Sequence, residues 1–82
     1  MNYTMDLTKF TPLELRNVKE CYMLASDKRI FSEKEWEFLL SLYNRTFKEN
    51  KKLTGCGRCR RGIINPLRKL RNEIIDHENE TN

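Results

Sequence analysis

Two six-residue stretches, FTPLEL at 10–15 and FSEKEW at 31–36, carry the same instruction for starting a helix. In the first, the Thr11 hydroxyl can accept from the backbone three residues on, and Glu14 can bond back to the Thr11 N–H. Pro12 takes the first helical position, where its missing N–H costs nothing, and Phe10 can close over Leu15. In the second, Ser32, Glu35, Phe31 and Trp36 fill the cap, the reciprocal acid and the two halves of the hydrophobic staple. The first half of the chain is thereby directed into helices.

The apolar spacing agrees. After Thr11, Leu15, Val18, Tyr22 and Ala25 recur at helical intervals with Cys21 and Leu24 beside them, until SDKR at 26–29 breaks the pattern. From Trp36 a second stripe runs through Leu39, Leu40, Tyr43 and Phe47, and good helix formers carry it to about Glu49. A third stripe, Ile63, Leu67, Leu70 and Ile74, contains Pro66, which removes a backbone donor and crowds the preceding turn. Two outcomes fit: Asn65 caps a fresh helix, or one helix runs through with a kink. The preferred expectation is a short helical turn over 59–63 leading into a main helix over 65–77. No alternating strand pattern of useful length occurs, and glycine stands only at 55, 57 and 62. The expected fold class is all-α, a small three-helix domain with a loop or kinked turn before the third helix. Its expected layout is an N-terminal arm at 1–9, one helical domain at 10–77 and an acidic C-terminal tail at 78–82.

At 82 residues the chain has room for one small core. Its eight aromatics, with many Leu and Ile, separate it from a disordered tail even though 34% of its residues are charged. No apolar run approaches the ~18 residues of a membrane span, and the first residues lack the basic start and apolar stretch of a signal peptide. The expectation is a cytoplasmic protein, in the host cytosol or a virion if viral, with no membrane partner. The sequons at Asn2, Asn44 and Asn79 then carry no sugar, and the three cysteines are expected as thiols.

Charge is segregated along the chain. Residues 1–44 hold six Lys or Arg against seven Asp or Glu; residues 45–71 hold ten against one; residues 72–82 hold none against four. The middle segment's net charge of +9 would attract phosphate backbones or an acidic protein surface, although a solvated face that only confers solubility fits the same count. The candidate contacts are Lys51, Lys52, Arg58, Arg60, Arg61, Arg68 and Lys69. If the third helix is unbroken, Arg61, Asn65, Arg68 and Asn72 share one polar stripe, and Arg and Asn are the side chains that pair with guanine and adenine edges or with phosphates. No aromatic lies between Lys48 and Arg71, which argues against a platform for stacking single-stranded bases.

TGCGRCRRG at 54–62 sits inside this segment. Cys-x-x-Cys is half of a tetrahedral zinc site, and Cys21 and His77 complete a minimal set with Cys56 and Cys59. A second close pair is missing, however, and a lone cysteine on an apolar helix reads as a core residue. A thioredoxin-like redox role would need the pair at a helix N-terminus in a βαβ setting, and no strands are expected. The favoured reading turns Cys56 and Cys59 toward the core at the start of the third helix and sends Arg58, Arg60 and Arg61 outward. Gly55, Gly57 and Gly62 would let the backbone turn or approach closely. No cofactor is expected. Without a glycine-rich phosphate loop, a Gly-x-Ser-x-Gly elbow or His-Glu-x-x-His, and with one histidine, the chain is not expected to be an enzyme.

The aromatic helix EWEFLLSLYNRTF, the short basic linker and CGRCRRGIINPLRKL together resemble short, mostly uncharacterised proteins of tailed bacteriophages and of mobile elements of Bacteroidetes. The resemblance spans roughly residues 36–75. It implies a viral setting, where small basic helical proteins serve virion assembly, genome handling or interference with host machinery. Two functions follow: a nucleic-acid-binding accessory protein, or a structural virion or assembly protein, a minor or auxiliary capsid component, or an inhibitor, docking on an acidic protein surface.

Overall fold

A computed structural model describes residues 7–26, 30–52 and 55–80. Residues 1–6 of the expected N-terminal arm, residues 27–29 of the expected break, Thr54 of the cysteine stretch and residues 81–82 of the acidic tail lie outside them. The regular elements of the described residues are all helical: a short 3-10 turn at Leu7–Lys9, then α1 at Pro12–Glu20, α2 at Tyr22–Ala25, α3 at Glu33–Phe47 and α4 at Gly57–Glu80. Among them no strand occurs, and the fold is all-α, with three helices longer than two turns and one single turn.

Both capping boxes form. The Thr11 hydroxyl accepts from the Glu14 N–H at 3.2 Å while Glu14 accepts from the Thr11 N–H at 2.8 Å. Ser32 and Glu35 exchange the same pair of bonds at 3.2 and 2.9 Å. Phe31 meets Trp36 edge to face at 5.1 Å between ring centres, which closes the second staple over the start of α3. Phe10 instead sets its ring edge-on to Phe47 at 5.9 Å, so the start of α1 is pinned to the end of α3. The same two ends are joined by Lys48, whose Nζ donates to Glu14 Oε2 at 2.8 Å. This contact, with the Thr11 bonds, holds the Glu14 carboxyl down at about 2. Lys48 takes the left-handed conformation (φ 57°, ψ 43°) that ends α3, and the chain turns there rather than continuing to Glu49.

The first stripe is interrupted earlier than its spacing implies. Cys21 leaves the helical region (φ −70°, ψ 112°), so α1 stops at Glu20 and α2 begins a new turn with its own phase. The consequence is a changed inward set: Val18, Cys21, Met23 and Leu24 are buried, whereas Tyr22, expected on the apolar face, is 68% exposed. On α3, Leu42 joins Trp36, Leu39 and Tyr43 in the core.

The largest departure is at Pro66. Instead of a turn over 59–63 and a fresh helix capped by Asn65, one 24-residue helix runs through the proline. An interior proline costs about 3 kcal/mol. Against it, Ile63 and Ile64 before the proline and Leu67, Leu70 and Ile74 after it are all buried, each contributing roughly 1.5–3 kcal/mol. They share one face only if the helical register is kept across Pro66, so burial outweighs the backbone penalty. α4 is the element against which α1, α2 and α3 all pack. It continues to Glu80, with Glu78 paired to Lys19 of α1 at 2.7 Å.

Because Ser32 accepts the Glu35 N–H at the start of the helix that carries Trp36 and Leu39, Ser32→Ala should lower unfolding stability by about 1 kcal/mol. An unchanged chemical-denaturation midpoint would show that this cap contributes nothing.

Candidate anion-binding face

α4 begins at Cys56, whose carbonyl accepts the Arg60 N–H at 3.0 Å in the first bond of the helical ladder. Once the helix is continuous, its heptad of buried positions fixes where every cation of 57–71 points. Arg58, Arg61, Asn65, Lys69 and Asn72 follow at intervals of three and four and are all exposed, forming one outward stripe opposite the Ile63–Leu67–Leu70 face. The sequence stripe through Arg61, Asn65 and Asn72 thus forms, but Arg58 and Lys69 complete it rather than Arg68.

Arg68 and Arg60 are drawn into the fold. The Arg68 guanidinium donates from Nη2 to the Ser26 carbonyl at 3.0 Å and to the Met23 carbonyl at 3.4 Å, closing the C-terminal end of α2. Arg71 does the same for α1, donating from Nε to the Lys19 carbonyl at 3.3 Å. Arg60, its side chain 20% exposed, lies over the Trp36 ring at 5.2 Å and pairs with Glu33 Oε1 at 3.0 Å, which ties the first turns of α4 to the start of α3. Three of the six cations on this part of α4 therefore hold helices together, and three, Arg58, Arg61 and Lys69, face outward.

The lysines before α4 are positioned by Asn44. Its side-chain amide accepts from the Lys51 N–H and donates to the Lys51 carbonyl, both at 3.0 Å, and the Lys51 ammonium rests 4.8 Å from the centre of the Tyr43 ring. Lys51 and Lys52 are both exposed. The Asn44 amide is thus fully engaged and Thr46, in the same sequon, is buried.

The cysteines are not where the spacing places them. Cys56 and Cys59 are exposed at the N-terminal end of α4 and turn no side chain into the core. The reason is the register: the inward face of the helix first becomes available at Ile63, beyond them. Nor do the glycines work as expected, since none has a positive φ and a Cβ on any of them would meet nothing within 4 Å. The set Cys21, Cys56, Cys59 and His77 is not assembled. Cys21 is buried between α1 and α2, and His77 is about 30 Å along α4 from Cys56 at 1.5 Å per residue. Among the described residues no cluster of three or more metal-ligating side chains occurs.

Two features escape the sequence reading. Cys56 is the N-cap of α4: its Sγ accepts the Cys59 N–H at 3.3 Å. The Cys59 thiol, backbone amides and Arg61 together push the Cys56 thiol below its ordinary value. The cue available was the position of the pair one turn ahead of the apolar stripe. The second is an open groove of about 570 Å³ between α1–α2 and α3, lined by Cys21, Tyr22, Met23, Glu35, Phe38 and Leu42. Of its lining, Tyr22 and Phe38 expose large apolar surfaces, and the Tyr22 hydroxyl donates to Glu35 Oε2 at 3.2 Å. The break at Cys21 that turns Tyr22 outward has no mark in the spacing.

Compared with protein-family models, with curated proteins and with solved structures, the chain matches none. Among the described residues no helix is long and apolar enough to cross a membrane.

If Arg68 is a structural cap, Arg68→Ala should lower stability by about 1–3 kcal/mol, because the Met23 and Ser26 carbonyls lose their donor. Arg58→Ala, on the outward stripe, should stay within about 0.5 kcal/mol of the parent. Equal urea midpoints for the two variants would contradict this division.

Proposed function

We propose that this chain is a non-enzymatic accessory protein that binds an anionic partner, the phosphate backbone of a nucleic acid foremost, through the outward stripe of α4 together with Lys51 and Lys52. The observation that carries the proposal is the arrangement of charge on α4 against its own dipole. The N-terminal end of a helix is positive and favours acids, yet the first turn of α4 has none, holds Arg58 and Arg60, and is followed by Arg61. The C-terminal end favours cations, yet α4 closes with Glu73, Asp76, Glu78 and Glu80. Arg60 and Glu78 are compensated by their pairs with Glu33 and Lys19, but Arg58 in the first turn and Glu80 in the last each work against the helix by about 0.3–1 kcal/mol, a cost that stability alone does not account for. An anion at the arginine end gains from the dipole and from the guanidinium groups at once.

The contacts in this reading are Arg58, Arg61 and Lys69 with Lys51 and Lys52; Arg60 and Arg68 contribute field while bonded within the fold. Asn65 and Asn72 lie on the same stripe and supply hydrogen bonds to phosphate or sugar. The setting that fits is a viral or mobile-element one, with genome handling as the task. A second reading, a virion assembly or inhibitory protein docked on an acidic protein surface, is favoured by the exposed apolar side chains of Tyr22 and Phe38 in the groove, which a protein partner would cover and a phosphate backbone would not.

Affinity for random-sequence duplex DNA, measured at two salt concentrations, tests the first reading. The expected result is a steep loss with salt, with the slope reduced by about one for each phosphate contact removed in the variant combining Arg58→Ala, Arg61→Ala and Lys69→Ala. Binding that is undetectable at low salt, or a slope unchanged by the triple substitution, would overturn it.

A further inference from the structure

We propose that Cys56 and Cys59 form a reversible dithiol–disulfide pair that exchanges with low-molecular-weight disulfides of the glutathione type, Cys56 attacking and Cys59 resolving. This inference is independent of the nucleic-acid reading. It rests on two cysteines one turn apart, both exposed, at the start of a 24-residue helix, with the Cys59 N–H donating to Cys56 Sγ at 3.3 Å.

The two sulfurs are not equivalent. Cys56 Sγ is the N-cap acceptor: it takes the Cys59 N–H at 3.3 Å and is approached by the Cys59 thiol, with the positive Arg61 nearby. Every one of these neighbours favours its thiolate, the form that attacks a disulfide. Cys59 sits inside the first turn with its own backbone N–H bonded to that sulfur, so the resolving residue is held within one turn of the atom it must reach. The third cysteine, Cys21, is 6% exposed in the core and is screened from the same reagent.

The exchange balances in two steps. The Cys56 thiolate attacks one sulfur of the small disulfide, whose S–S bond breaks; a Cys56–thiol mixed disulfide forms and one thiolate leaves with the electron pair, to be protonated by water. Cys59 then gives its proton to solvent and attacks Cys56 Sγ, forming the Cys56–Cys59 bond and expelling the second thiol. The pair is oxidised by two electrons and the small disulfide is reduced to two thiols. Closure is within reach: residues three apart on a helix have Cβ atoms roughly 5–6 Å apart, against about 3.5–4.5 Å in a disulfide. Cys56 precedes the first helical residue, and Gly55 and Gly57 on either side have open space where a Cβ would stand, so no side chain there obstructs the shift that closure needs.

The full chain, treated with oxidised glutathione at neutral pH and read by intact-mass and peptide mass spectrometry, tests this. The parent should lose two hydrogens and show a Cys56–Cys59 disulfide that excess reduced glutathione reopens. Cys59→Ser should stop at one glutathione attached to Cys56, and Cys56→Ser should react at Cys59 about tenfold more slowly. Circular dichroism confirms that both variants keep the helical fold. Equal rates at the two cysteines, or a parent that stops at mixed disulfides without closing, would overturn the proposal. So would uptake of zinc by two copies at one ion per pair, protecting both thiols from oxidation, since the pair would then be half of a metal site.

Discussion

Leu67 and Leu70 are fully buried one turn apart on α4, and the helix that carries them is the surface on which α1, α2 and α3 are assembled. The rest of the structure follows from keeping that face in register with Ile63 and Ile64 on the far side of Pro66. The backbone opposes this by about 3 kcal/mol, because the proline offers no N–H to the Gly62 carbonyl and its ring crowds that turn. In a small domain no other face of similar size exists, and giving up register would forfeit several buried side chains.

The continuous helix has a second effect, on charge. It divides the basic segment into side chains that tie one helix to another and side chains that are exposed along the outer face. Arg68 and Arg71 donate into the carbonyl ends of α2 and α1, where a cation also meets the negative end of each helix dipole. Arg60 stacks on Trp36 and pairs with Glu33. Arg58, Arg61 and Lys69 are left along the outer face, the two arginines beside the N-terminal end of α4, whose own dipole disfavours them. The potential that destabilises the helix there also favours a thiolate at Cys56 and an anion beyond it. A single electrostatic arrangement therefore underlies both the proposed partner and the proposed thiol chemistry.

Helix starts were legible in the sequence because they depend on residues three to five apart: Thr11 with Glu14, Ser32 with Glu35, Phe31 with Trp36. Apolar stripes were legible where the helix was uninterrupted, as for Ile63, Leu67, Leu70 and Ile74. The break at Cys21 was not, because no glycine or proline marks it. Continuation through Pro66 was hidden for the opposite reason, since a strong local signal is overridden by burial against three other helices. For the site, the sequence located the basic segment but not the partition within it. Arg60 and Arg68 look like Arg58 and Arg61 until Glu33, Trp36, Met23 and Ser26 are brought to them from distant parts of the chain. The exposure of Cys56 and Cys59 likewise depends on where the inward face of α4 begins.

Backbone carbon chemical shifts of residues 57–80, measured by nuclear magnetic resonance on the isotopically labelled chain, test the continuity of α4 most directly. The account predicts helical secondary shifts without interruption from Arg58 through Asn65 and Leu67 to Ile75, with a local perturbation confined to the turn around Gly62 and Pro66. A return to coil values over 62–65, followed by a new helix capped by Asn65, would contradict it and would free the outward stripe and the Cys56 end to point elsewhere.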